Sequence, residues 1–422
     1  MSEAATQTAD DGVIRAADGT PLKTKLRQTM RRKKLIATGL VLPLFAFVFI
    51  TFLFPIGVML FRSVDNPVVH ENLPKTLAVL ERWDGQDLPP EEAFAALAEE
   101  LAIAKDNRTI GQIATRMNFE FPGIRSTFTG TGRKAAKMEP PFKEAFIKAS
   151  KDWADRETWV TIKRIGQPYT ATQYVAAVDL RFDVDNNIVM QEEDRQIYMQ
   201  IFGRTLWMSL LVTTMCLLLG YPIAFLLATL PLRYSNLLMI MVLLPFWTSL
   251  LVRTTAWIAL LQTNGVINDL LVWAGILSDE SRLQMMYNQI GTVVAMTHIL
   301  LPFMVLPLYS VMKTIPPSYM RAARSLGATP PTAFIRVYLP QTVPGIGAGS
   351  LLVFILAVGY YITPALVGGR TGQMISNFIA FHMQSSLNWG LAAALGSILL
   401  AGVLALYWLY SKVVGVDNMK LG

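Results

Sequence analysis

The chain has 422 residues, 53% hydrophobic and only 16% charged, with a mean hydropathy of +0.40 and a net charge of +7. This is too apolar for a soluble domain of that size, so a membrane protein is the first reading. Cys216 is the one cysteine and lies in an apolar run, which excludes a disulfide framework and cysteine-built zinc or iron–sulfur sites.

A bilayer core about 30 Å thick needs about 20 apolar residues as helix, because backbone polar groups must bond internally where water is absent. Six runs meet this requirement, at 35–61, 206–230, 237–261, 290–311, 345–367 and 389–410. Together they predict an all-α membrane protein with six transmembrane helices. Residues 1–34 form a polar, basic tail. The run after them is longer than a signal-peptide core and has no small-residue cleavage site, so it reads as a retained anchor.

Residues 62–205 separate the first two spans and carry 22 acidic and 19 basic side chains. This insert is large enough for a modest core of its own. Residues 89–106 and 140–159 show apolar positions at helical spacing, the first with acids in its opening turn. Residues 172–190 contain alternating runs and an Asn-Asn turn, which suggests strands and hence an α+β insert. Asp179, Asp183 and Asp185 have a spacing that suggests calcium, but the glycine and downstream glutamate of a calcium loop are missing. A solvated strand face is favoured.

Counting Lys and Arg in the flanking segments orients the chain. With the N-terminus inside, the cytoplasmic pieces are 1–34 (8 basic, 4 acidic), Arg233, the loop 312–344 (4 basic, none acidic) and the tail 411–422 (2 basic, 1 acidic). The other side holds the insert, 262–289 (1 basic, 3 acidic) and 368–388 (1 basic). Both termini are therefore expected in the cytoplasm, and the insert outside. Residues 206–410, with the loop 312–344 among them, are expected to form a five-helix core. The basic run Arg31, Arg32, Lys33 and Lys34 fits topogenesis and anionic lipid. No cytoplasmic piece is long enough to fold as a nucleic-acid reader.

The loop "RAARSLGATPPTAFIRVYLP", residues 321–340, reads as two short helices meeting at Gly327. Ser318 is expected to cap the first, and Ala322 and Ala323 leave its backbone approachable. Pro330 and Pro331 open the second, and Leu339 and Pro340 are expected to end it. Such a knob fits a partner's groove; an amphipathic loop at the lipid interface fits the same residues.

This stretch resembles the signature of permease subunits of ATP-binding-cassette importers, which reads E-A-A, three residues, G, nine residues, I, one residue, L-P. Here Arg321, Ala322, Ala323, Gly327, Val337, Leu339 and Pro340 stand at that spacing, with arginine in place of the glutamate and valine in place of the isoleucine. Further stretches are similar to the branch that imports spermidine and putrescine: "LLPFWTSLLVRTTAWIALLQTNGVIN" (243–268), "LLPFMVLPLYSVMKTIPPSYMRAARSLGA" (300–328), "YYITPALVGG" (360–369) and "NWGLAAAL" (388–395). The likeness covers about 30–61 and 201–415 and leaves out the insert. It implies a bacterial inner-membrane permease with a second permease subunit, two cytoplasmic ATPase subunits and an external substrate-binding protein. By the same resemblance, the coupling loop would be Arg321, Ala322, Ala323, Arg324, Leu326, Gly327 and Ala328, with Val337, Leu339 and Pro340 behind them. ATP and magnesium would be held by the ATPases, and no cofactor by this chain. No Walker A pattern occurs in the sequence.

A charge at mid-membrane costs about 2.5–3.5 kcal/mol on insertion scales, so Arg253 must face protein or water. Both a carbonyl-bonding arginine that fixes a helix kinked after Pro245 and a path-lining one fit. Trp257, Tyr360, Tyr361 and Pro364 are the other path candidates, because aromatic faces attract cations weakly; interfacial belt positions fit these aromatics equally. No Asp or Glu lies in the six runs, so the spans offer no carboxylate to grip a cation. His298 and Cys216 are expected to be packed, without a ligand role. An ion-coupled transporter and a membrane sensor with an external ligand-binding domain are the alternative readings. The first lacks intramembrane carboxylates, and the second lacks a cytoplasmic output module.

Overall fold

The computed structural model describes residues 21–414. Much of both expected tails lies outside the described residues. The chain divides into two compact units, one ending at Phe61 and the other beginning at Arg62. In the first, helix α1 (Leu22–Val48) runs through a widened turn, Phe49–Leu53, into α2 (Phe54–Arg62). Leu40, Leu44, Ile50 and Phe54 are all exposed, a surface that only lipid or other protein could cover. Pro55 explains the widened turn: its ring would clash with the carbonyl four residues back, and it has no N–H to give.

The insert is helical. It comprises α3 (Pro67–Asn72), α4 (Pro74–Glu81), α5 (Glu91–Asp106), α6 (Ile110–Glu120), α7 (Arg125–Ala135), α8 (Phe142–Ala149), α9 (Arg156–Ile165) and α10 (Thr172–Ala177). The only strands among the described residues are β1 (Leu180–Phe182) and β2 (Ile188–Met190), an antiparallel pair with Arg181 opposite Val189. The expected α+β insert is thus corrected to a helical one with a single hairpin. Residues 172–177, expected as strand, are helix. Residues 140–159 are broken, not continuous: Ser150 is extended (φ −156°, ψ 142°), and Asp155 then caps α9 by accepting from Glu157 N at 3.0 Å.

The aromatic rings of Phe94, Phe128, Phe146, Trp153 and Trp159 cluster in the core of the insert, with Phe128 5.0 Å from Trp153. Phe94 meets Trp159 at 4.4 Å between centroids, and Trp153 lies 5.1 Å from Phe146 and 5.5 Å from Trp159. Both indoles are fully buried, and each finds a partner: Trp153 Nε1 donates to Thr131 Oγ1 (2.8 Å) and Trp159 Nε1 to Trp153 O (3.1 Å). Glu100, buried on α5, caps the start of α4 by accepting from Lys75 N (2.5 Å), Thr76 N (3.0 Å) and Thr76 Oγ1 (2.6 Å). Burial raises its pKa, and those hydrogen bonds oppose the rise.

Where the chain enters and leaves the insert it is zipped to itself: Asn66 N donates to Pro168 O and Thr170 N to Val64 O, both at 2.9 Å. Buried Arg116 ties this neck together, donating to Asn66 Oδ1 (2.7 Å), Thr172 Oγ1 (3.2 Å) and Glu120 Oε1 (2.9 Å).

Helix α11 (Tyr198–Thr229) begins the bundle. Asp179 reaches its N-terminus, accepting from Ile197 N (3.1 Å), Tyr198 N (2.9 Å) and Met199 N (2.7 Å). The expected solvated face is therefore corrected at Asp179, which is buried and fastens the hairpin to α11. Asp183 instead shapes the hairpin turn, and Asp185 pairs with Arg156 at 2.9 Å.

The third predicted span is broken. Helices α12 (Leu232–Leu243) and α13 (Leu250–Leu261) flank a short turn, and the path bends by 99° there. Pro245 cannot continue α12, and Ser249 starts α13 by accepting from Val252 N at 3.2 Å. Helix α14 (Val266–Trp273) follows, then α15 (Gln289–Thr314). Beyond it lie α16 (Pro317–Ser325), α17 (Pro330–Ala333), α18 (Leu339–Gly359), α19 (Ile362–Val367), α20 (Ile375–Gln384) and α21 (Trp389–Val414). Among the described residues, five helices are long and apolar enough to span, with α12–α14 as a bent sixth.

Helices α11, α15 and α18 make the centre, where glycines allow close approach. A Cβ on Gly220 would stand 3.1 Å from Met304, one on Gly345 3.3 Å from Leu308 Cα, and one on Gly349 2.8 Å from Met304 Sδ. The predicted fifth span, 345–367, is two pieces: α18 stops at Gly359, Tyr360 is extended, and α19 begins at Ile362.

Candidate functional site

The loop 312–344 folds as a knob with an exposed tip and an anchored base. Pro317 opens α16 in its first turn, and Ser318 lies inside the helix with no capping bond, which corrects the expected cap. At the other end Gly327 N donates to Arg324 O (3.0 Å) and Ala328 N to Ala323 O (3.1 Å), the paired bonds of a glycine helix stop. Gly327 has φ +89°, a conformation that side-chain-bearing residues resist. Arg321, Ala322, Arg324 and Leu326 are exposed, while Ala323 and Ala328 are half-buried. Leu326 is 89% exposed. Neither Arg321 nor Arg324 forms an ion pair among the described residues.

Behind the tip, α17 passes into a widened turn, Phe334–Tyr338, and then directly into α18. Leu339 and Pro340 therefore open a spanning helix and do not close the knob, a correction. Here too a proline follows the widened turn at once, which absorbs the clash that would otherwise end the helix. Val337 lies half-buried in this turn. Phe334 and Tyr338 stack at 5.5 Å and both press on Phe225 of α11, at 5.6 and 5.4 Å. Tyr221 of α11 meets Thr342 of α18, oxygen to oxygen, at 3.1 Å. The base of the knob is thus packed against α11 and continuous with α18.

Within the bundle the structure brings four polar or aromatic side chains together. Trp257 on α13 donates from Nε1 to His298 Nδ1 of α15 at 3.1 Å, with the rings edge to face at 5.3 Å. Arg253, one turn before Trp257, lies within electrostatic reach of both His298 and Tyr360. Its Nε is buried without a hydrogen-bond partner among the described residues. Tyr360 and Tyr361 occupy the break between α18 and α19, and α20 fixes that break: Ser376 Oγ donates to Tyr360 O (2.6 Å) and Asn377 Nδ2 to Tyr361 O (2.7 Å). Gly359, Tyr360, Tyr361 and Leu250 line a cavity of about 220 Å³.

Pro364 is buried in α19 beside Thr363, whose hydroxyl lies 3.4 Å from that of Thr254. Of the five path candidates, Trp257 bonds to His298, Arg253 lies within electrostatic reach of His298 and Tyr360, Tyr360 and Tyr361 line the cavity at the helix break, and Pro364 packs. His298 is packed and hydrogen-bonded, as expected, but the sequence did not give its partner, which lies 41 residues away in the chain. Cys216 is buried and donates to Thr297 O at 3.4 Å, a packed thiol.

Residues 202–414 match the family described as binding-protein-dependent transport system inner membrane component. The spermidine/putrescine transport system permease protein PotB of Salmonella typhimurium is 33% identical over 253 residues, covering 59% of this chain and 86% of that protein. Its counterpart in Haemophilus influenzae is 37% identical over 221 residues, 52% of this chain and 77% of that one. A solved bacterial ABC transporter involved in import of the acidic polysaccharide alginate has 19% identity and a TM-score of 0.43, over 54% of this chain and 81% of that one.

Proposed function

This chain belongs to the family of binding-protein-dependent transport system inner membrane components, and we propose that it passes a polyamine-like cation inward, driven through the knob at Arg321–Ala328. It is a multi-pass inner-membrane permease subunit and not an enzyme; ATP hydrolysis belongs to a separate subunit. In this reading both termini and the knob are cytoplasmic and the insert is external. A binding protein delivers the solute, two ATPase subunits grip the knobs of this chain and a second permease, and the bundle alternates its opening.

The observation that carries the proposal is the glycine-stopped knob itself, with Leu326 almost fully exposed at its tip and an aromatic base locked onto α11. Such a tip drives transport only if the ATPase binds it differently in its two states, since equal affinity for both would shift nothing. The polyamine class rests on the spermidine/putrescine relatives, whose substrates their names give. Inside the apolar runs the chain offers such a cation aromatic faces and no carboxylate, Asp269 of α14 being held by Arg282 at 2.7 Å, and Arg253 disfavours its lingering. Passage is then weak-binding and fast, with selection made outside.

Gly327→Val tests the coupling. Its β-branched side chain opposes φ +89° at a cost of about 1–2 kcal/mol, so the knob is expected to distort. In reconstituted transporter, ATP hydrolysis should continue while spermidine uptake falls several-fold. Uptake and hydrolysis that stay in their normal ratio would remove the knob from the mechanism.

A further inference from the structure

The insert meets the bundle around two cavities, of about 780 and 560 Å³, that share Phe119, Gln173 and Asn388 in their walls. Gln173, on α10, is only 8% exposed, yet its amide makes no hydrogen bond with any described residue. It packs closely on Gly390 of α21, where a Cβ would stand 3.1 Å from Gln173 Cγ and 3.4 Å from its Nε2. Asn388 is held as well, its Oδ1 accepting from Leu391 N at 3.2 Å. The Gln173 side chain lines both cavities, so the small part of it left open faces the cleft.

The charge around that amide has a direction. The larger cavity carries Glu120, Glu157, Glu192 and Asp194 against Arg181 and Arg195. Glu120 is tied to Arg116 at 2.9 Å and Glu192 to Arg195 at 3.5 Å. Glu157 and Asp194 form no ion pair among the described residues; Arg164 acts on Glu157 only at longer range. Phe119 and Phe121 add aromatic surface to the same wall. Two carboxylates without an ion pair among the described residues outnumber the one such cation in the wall, Arg181, and with the largely enclosed amide and the aromatic faces they suit an ammonium ion, which donates hydrogen bonds and seeks negative charge.

We propose that the cleft between insert and bundle is a binding site for a small organic cation bearing primary ammonium groups, with Glu157 and Asp194 supplying charge and Gln173 Oε1 accepting from the ammonium. The insert thereby gives the permease a site of its own beyond the membrane spans. The polyamine reading enters only in the choice of probe.

The test uses the full chain in nanodiscs, without a binding protein, and measures binding of radiolabelled spermidine and putrescine, with glutamate as the anionic control. Saturable binding of the polyamines and not of glutamate is expected. The double variant E157Q/D194N should weaken it about ten-fold or more, and Gln173→Leu by a similar factor. Gln173→Glu separates recognition from packing: an added carboxylate should hold or tighten cation binding, whereas a purely structural glutamine would give a loss. Absence of saturable polyamine binding, unchanged affinity in the double variant, or preference for glutamate would each overturn the site. Uptake by the complete transporter reads the function separately: polyamine uptake without nanodisc binding sinks the site alone, and nanodisc binding without polyamine uptake sinks the function alone.

Discussion

The insert and the bundle differ less in what they bury than in what they expose. In the insert the largest side chains, Trp153, Trp159, Phe94 and Phe128, are fully enclosed, and most charges lie outside, with Glu100, Arg116 and Asp179 buried on hydrogen-bond partners. In the bundle Thr205, Ser209, Thr213, Thr292 and Gly349 are inside, while Leu218, Ile240, Met241, Trp247 and Leu404 are exposed. Water drives the first arrangement, since burying an aromatic ring removes much apolar surface from it. In the second, lipid is as apolar as leucine, so close approach of small residues and internal hydrogen bonds decide which faces meet. Thr205 and Thr213 each return a hydroxyl bond to the carbonyl four residues back, at 2.8 and 2.7 Å, which keeps them satisfied inside.

Four substitutions sharpen that contrast. Trp153→Ala removes the ring at the centre of the insert's aromatic cluster and should cost about 3–5 kcal/mol, seen as proteolysis of the insert while the spans stay intact. Gly349→Leu does the reverse in the bundle. With Met304 Sδ 2.8 Å from the new Cβ, overpacking should cost about 1–3 kcal/mol in thermal unfolding and leave insert proteolysis unchanged. A third change strikes the joint: Asp179→Ala strips three backbone donors of their acceptor and should lower stability by about 0.5–2 kcal/mol, with faster amide exchange at residues 197–199.

The smallest effect is a pH slope. Because burial raises the Glu100 pKa above its ordinary 4.5, the folded insert holds that proton more tightly than the unfolded chain. Its contribution favours folding below that ordinary value and is lost as pH rises through the raised one. Insert stability, followed by denaturant titration, should therefore fall with rising pH more in the native chain than in Glu100→Gln across that window. Parallel curves would mean that the carboxylate is fully compensated by Lys75 N and Thr76.

The same contrast explains what the sequence made legible. Length and apolarity are enough to find spans, so five appeared as long helices and the third as a bent pair, and α5 announced itself through Glu91 and Glu92 in its first turn. The errors fall where a local rule met a non-local answer. Pro340 reads as a stop, yet the widened turn at 334–338 carries the helix past it. Pro245 does break its helix, and no count of apolar residues shows a 99° bend. Residues 180–190 alternate as strands should, but Asp179, at φ +59°, turns the chain just before β1, and only three residues pair on each side. The knob was legible because its glycine and prolines act locally. The cluster at Arg253 was legible only by rarity: a charge in a span had to be accounted for, whereas His298 became visible only once α13 and α15 were side by side.

The central claim is that the Leu326 tip lies in the cytoplasm and is gripped by an ATPase. Leu326→Cys, made beside the buried and unreactive Cys216, allows the direct measurement with a membrane-impermeant thiol reagent. The account predicts labelling only after the membrane is opened, protection when the ATPase subunits are bound, and a change in that protection on adding ATP. Labelling in intact cells would place the tip on the outer face and contradict it.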